Sequence, residues 1–73
     1  MEGDLQRTVG RNLRAYRLAQ GLSQEAFAAD VLRVHRTYAG KIERGEENLT
    51  LKSVERIAAR IGLDPISLLV REE

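Results

Sequence analysis

The stretch "VHRTYAGKIERG", residues 34–45, decides how this 73-residue chain is read. On a helical wheel at about 100° per residue, Ala39 and Ile42 fall on one side with Tyr38 on their flank. Thr37, Gly40, Lys41 and Arg44 gather on the other side, with Arg36 at its edge. A helix here has an apolar back and a basic front. Gly40 is the odd choice, because glycine inside a helix costs roughly 1 kcal/mol relative to alanine. Close approach of that face to something bulky would account for it. On an isolated short helix such a front is simply a solvated face, so the neighbouring segments decide.

Outward from this stretch the pattern is helical throughout. Leu5, Val9, Leu13 and Tyr16 recur at steps of four, four and three, which lines one face of a first helix from about Asp4 to Gln20, ended by Gly21. Ser23 is placed to cap a second helix starting at Gln24, and Leu22 to pack on Phe27 as a hydrophobic staple. A third helix begins near His35 or Arg36 and closes at Gly45. Thr50 caps a fourth, whose Leu51, Val54, Ile57, Ala58 and Ile61 form an apolar stripe stopped by Gly62. Asp64 followed by Pro65 is an N-cap with proline at the first helical position, so "DPISLLV" opens a fifth. No run alternates as a strand would. The expected class is all-α, one domain over residues 1–73.

Composition bounds the function. With 12 basic and 11 acidic residues the net charge is +1, so an anionic partner must be met by uneven distribution of charge. Charge does divide along the chain. Residues 33–44 hold Arg33, Arg36, Lys41 and Arg44 against Glu43, while Glu2, Asp4, Glu72 and Glu73 sit at the termini. There is no cysteine, hence no disulfide framework and no thiolate metal site. "MEGDLQRTVGRNLRAY" carries no apolar run of signal or anchor length, so a soluble, cytoplasmic protein without membrane association is expected. An enzyme lacks material, with one histidine, no glycine-rich phosphate loop and no obvious acidic pair. No cofactor or metal site is expected.

A short second helix, a tight connection and a short basic third helix make a helix-turn-helix, in which the second of the pair enters the DNA major groove. "GLSQEAFA" and "VHRTYAGKIERGEENLTLKSVERIA" resemble the Cro/CI-like (XRE) family of helix-turn-helix regulators over nearly the whole chain. The run "HRTY...IERG..NLTLKS" is most similar to the small controller proteins of restriction-modification systems. The resemblance implies a compact five-helix, lambda repressor-like DNA-binding domain. It implies that Gln24 holds a phosphate and that Arg36, Thr37 and Lys41 face bases or adjacent phosphates. Arginine suits guanine, whose O6 and N7 its fork reaches together, and a threonine methyl meets that of thymine. Tyr38 is either a part-buried ring with its hydroxyl on a phosphate or a base contact. His35 stands at the N-cap position and, as the one histidine, is a poor metal candidate. Asn48 and Lys52 match the loop and helix start that grip the DNA backbone, and Arg17 and Glu43 match a partly buried ion pair that fixes the tilt of the recognition helix.

The chain departs from the family in one place. Between Phe27 and Tyr38 it has one residue more than the usual spacing, and "VLRV" with Arg33 stands where glycine makes the turn. A non-glycine residue is disfavoured at positive φ, so either helix two runs longer or the turn takes another shape. A chain this small has a marginal core, and Leu49, Leu51, Ile66, Leu69 and Val70 are expected to form the interface of a homodimer that binds an inverted-repeat, double-stranded operator. Rival readings are an antitoxin or phage-type repressor of the same fold, and a protein-interaction module that has lost DNA binding.

Overall fold

Four of the five helices begin at a residue whose side chain accepts a backbone N–H. Ser23 Oγ takes Ala26 N at 3.1 Å, His35 Nδ1 takes Thr37 N at 3.1 Å, Thr50 Oγ1 takes Ser53 N at 3.0 Å and Asp64 Oδ1 takes Ile66 N at 2.9 Å. These caps satisfy amides that the first helical turn leaves without an intrahelical partner. The computed structural model describes residues 2–71; the acids Glu72 and Glu73 lie outside them. Helix α1 spans Asp4–Ala19, α2 Gln24–Ala26, α3 Arg36–Glu43, α4 Leu51–Ile61 and α5 Pro65–Leu69. Among the described residues there is no strand.

The extra residue between Phe27 and Tyr38 is absorbed in two ways at once. After α2 the backbone winds on as a π-helical segment, Phe27–Leu32, whose wider turn accommodates one more residue than an α-helix. The chain then reverses at Arg33, which adopts φ 56°, ψ 47°, the left-handed region, without being glycine. Val34 N donates to Ala28 O at 3.0 Å across this turn. Through the insertion Phe27, Ala28 and Leu32 stay buried, so the wide turn keeps the apolar residues facing inward.

The core gathers Val9 and Leu13 of α1, Phe27, Ala28 and Leu32, Ala39 and Ile42 of α3, Val54, Ile57, Ala58 and Ile61 of α4, and Leu68 of α5. Tyr16 and Leu22 pack against it, with the Tyr16 and Phe27 rings 6.1 Å apart and tilted by 45°. Helices α1 and α3 lie very close at Gly10, where an added Cβ would stand 2.7 Å from Glu43 O and would also strike Ile42 O. Only glycine permits that approach, and it seats α3 on α1. Two positions of the expected apolar stripes do not join the core. Leu5 is 62% exposed and Leu51 77% exposed, because each lies in the first turn of its helix, beyond the neighbours that cover the rest of the stripe.

Candidate nucleic-acid interface

Helix α3 sits at the surface with Ala39 and Ile42 buried beneath it. Arg36, Thr37, Lys41 and Arg44 are exposed, so its basic front faces outward along the full length of the helix. Arg36 lies 3.6 Å from Glu25, with both side chains well exposed, a pairing too weakly held to withdraw the guanidinium from a DNA partner. Arg44 donates to Glu46 at 3.0 Å, and that bond holds the Glu46 carboxyl below the usual carboxylate range. His35 is exposed and caps the helix; an accepting Nδ1 leaves the ring proton on Nε2. Tyr38 is half-buried, packed on the core beside Leu32, Val34 and Ile57. Asn48, in the loop before α4, and Lys52, in the first turn of α4, are exposed, and Asn48 Oδ1 accepts from Gln6 of α1 at 3.4 Å.

Gly40 is where the structure corrects the sequence reading. It does not lie open on the basic front; it is buried. A Cβ there would stand 3.0 Å from Arg44 Nη1 and 3.4 Å from Gln24 Oε1. What crowds the position is thus the protein's own side chains, the Arg44 guanidinium first and the Gln24 amide of α2 behind it, both able to shift.

Gln24 belongs to a node that ties three elements together. Arg17 Nε donates to Glu43 Oε2 at 2.8 Å and Nη2 to Oε1 at 3.1 Å, while Nη1 donates to Leu22 O at 2.9 Å. Gln24 Nε2 adds a longer bond to Glu43 Oε1 at 3.3 Å. The Arg17 and Glu43 side chains are only 11% and 4% exposed. Such a bidentate pair is geometrically specific, and here it joins the end of α1, the start of α2 and the end of α3. Among the described residues no buried side-chain polar atom lacks a partner. The node fixes how α3 stands relative to α2.

Of the apolar residues expected at an interface, Leu51, Ile66 and Val70 are exposed by 77%, 62% and 55%. Leu49 and Leu69 are half-buried against the core of their own chain. With Leu5, Val9 and Val54, residues Leu49, Leu51 and Leu69 line one shallow apolar groove between α1 and the start of α4. The division of charge along the chain hides a second basic row: Arg7, Arg11 and Arg14 of α1, all exposed, at steps of four and three. That spacing is legible in the sequence as one helical face. What is not legible is that Arg44 stands across from it.

A short capped α2, a turn and an exposed basic α3 held at fixed tilt constitute a helix-turn-helix DNA-binding domain. The helix-turn-helix family model HTH_3 matches residues 13–68, and the chain belongs to that family. It is 36% identical over 69 residues to control protein C.SmaI of Serratia marcescens, covering 94% of this chain and 81% of the relative. The crystal structure of the hypothetical transcription factor NHTF from Neisseria superposes with a TM-score of 0.82 at 34% identity, over 97% of this chain and 80% of that one. That of the restriction-modification controller protein C.AhdI from Aeromonas hydrophila gives a TM-score of 0.72 at 35% identity, over 86% and 94%. The protein is thus a DNA-binding regulator homologous to restriction-modification controllers, and not an enzyme. Among the described residues no helix is long and apolar enough to cross a membrane.

Proposed function

We propose that the protein is a homodimeric transcriptional controller of a restriction-modification system, acting in the cytoplasm on an inverted-repeat operator. The observation that carries this reading is the outward basic front of α3, held by the Arg17–Glu43–Gln24 node, in a chain similar to control proteins. Arg36 and Thr37, in the first turn of α3, read base edges; Lys41 and Arg44 further along it meet phosphates. Gln24, Asn48 and Lys52 hold the sugar-phosphate backbone and set register. Tyr38 packs its ring inward and offers its hydroxyl to a phosphate, which its half-buried position supports.

The exposed Leu5 and Leu51, which line the groove beside Leu49 and Leu69, and the exposed Ile66 and Val70 of the α5 segment support a two-fold dimer. Apolar surface of this kind on a chain of 73 residues is matched by the same patch on a second copy. Two recognition helices then face half-sites about one helical turn, roughly 10 base pairs, apart or a multiple of it. Footprinting and titration on a selected site test the reading. Arg36→Ala is expected to cost about 1–3 kcal/mol and to relax preference at one position of each half-site. Full affinity with unchanged base preferences would remove α3 as the reader.

A further inference from the structure

Arg7, Arg11 and Arg14 lie on one face of α1. Arg7 is engaged by Asp4 within its own turn. Among the described residues no acid lies within ion-pair reach of Arg11 or Arg14. None of the three contributes to the core, which α1 meets through Val9 and Leu13. Across from them stands Arg44 of α3. One surface groove gathers Arg14, Arg17, Gln24, Glu43 and Arg44, and a second gathers Arg7, Arg11, Arg14, Glu43 and Arg44. Because the two share Arg14, Glu43 and Arg44, they form one trough that starts at Gln24 and runs along α1. Glu43, the acid in its wall, is already bonded to Arg17 and 4% exposed.

We propose that this trough takes backbone phosphates of the DNA flanking each half-site, a contact that rests on the operator-binding reading above and extends it beyond α3. Arg7 and Arg44 have the exposed acids Asp4 and Glu46 beside them, pairs too solvated to hold them from a phosphate. Arg11 and Arg14 stand between them with no counter-charge in reach among the described residues; their mutual repulsion adds nothing to folding, and a polyanion resolves it. The trough opens at Gln24 and Arg44, at the margin of the basic front of α3, so the strand that meets the recognition helix is the polyanion within reach. Arg14 lies seven residues on from Arg7 in α1, about 10 Å of helix, which spans about three phosphates of one strand at roughly 3.4 Å each along the duplex axis. The grip is blind to sequence, so it adds affinity and leaves the choice of bases to α3.

The test compares wild type with Arg11→Gln/Arg14→Gln and with Arg11→Lys/Arg14→Lys. Affinity is measured from 50 to 200 mM salt on a selected duplex carried one helical turn past the half-sites and on the same duplex trimmed to them. On the long duplex, loss of two phosphate contacts lowers the salt slope by about 1.8, so the advantage of wild type over the glutamine pair shrinks by about 12-fold across this range. The lysine pair keeps the wild-type slope, base preferences stay unchanged, and on the trimmed duplex wild type and glutamine pair converge. Parallel salt plots on the long duplex, with wild type binding tightly, would overturn the trough alone. A deficit that persists undiminished on the trimmed duplex would overturn its assignment to flanking DNA. A wild type with no salt-dependent binding to either duplex would overturn the operator reading itself.

Discussion

Replacing Arg33 by glycine should stabilise this protein. Arg33 closes the turn into α3 at φ 56°, ψ 47°, where the Cβ of an L-residue crowds the following carbonyl at a cost of about 1–2 kcal/mol. Glycine escapes that crowding but gives up more backbone entropy on folding, about 0.5–1 kcal/mol. The net expectation is a gain of about 0.5–1 kcal/mol. Arg33 is exposed and makes no side-chain hydrogen bond or ion pair among the described residues, so no contact is lost to offset it. For a domain of this size the melting temperature rises by about 3–6 °C. Arg33→Ala keeps the Cβ and should stay within about 0.5 kcal/mol of wild type, which makes it the control. Thermal and urea unfolding of the three proteins at one fixed concentration, to hold any dimer linkage constant, decides the matter. A glycine variant no more stable than the alanine variant would refute the claim that this turn is strained.

Three further outcomes follow from particular contacts. Arg17→Ala or Glu43→Ala alone should cost about 3–5 kcal/mol, since each leaves a charge stranded at a nearly buried site, while the double replacement recovers part of that loss; additive losses in denaturant unfolding would mean no coupling through the observed bonds. Gly10→Ala should cost about 2–3 kcal/mol by forcing α1 off the α3 backbone carbonyls, so an unchanged melting temperature would disprove the close approach. Leu51→Glu should turn the proposed dimer to monomer in sedimentation at micromolar concentration with helical content intact, because Leu51 is 77% exposed and an acid suits the first turn of α4; a variant that sediments as wild type does would move the interface elsewhere or remove the dimer.

The helices themselves were legible in the chain because their signals are local. Ser23, Thr50 and Asp64 cap helices within three residues of their own position, Gly21 and Gly62 end α1 and α4 at positive φ, and the stripe Val54, Ile57, Ala58, Ile61 follows the helical period. The basic front of α3 is legible for the same reason, as a periodicity within one short segment. Family resemblance added the pairing of Arg17 with Glu43, which periodicity alone does not carry across 26 residues. Tertiary structure decided the remainder. Gly10 is glycine because the backbone of α3 crosses it, a neighbour that cannot be known from the helix that bears the glycine, and Gly40 is buried beside the Gln24 side chain although its own helix marks it as part of the basic front. Leu5 and Leu51 obey the apolar period yet stay exposed, since burial depends on which elements reach the end of a stripe. The extra residue before α3 had two outlets, a longer helix or an altered turn, and the local sequence does not choose between them. Burial of Phe27, Ala28 and Leu32 in one core selected the π-helical winding together with a left-handed Arg33, because hydrophobic packing over several side chains outweighs about 1–2 kcal/mol of strain at one residue.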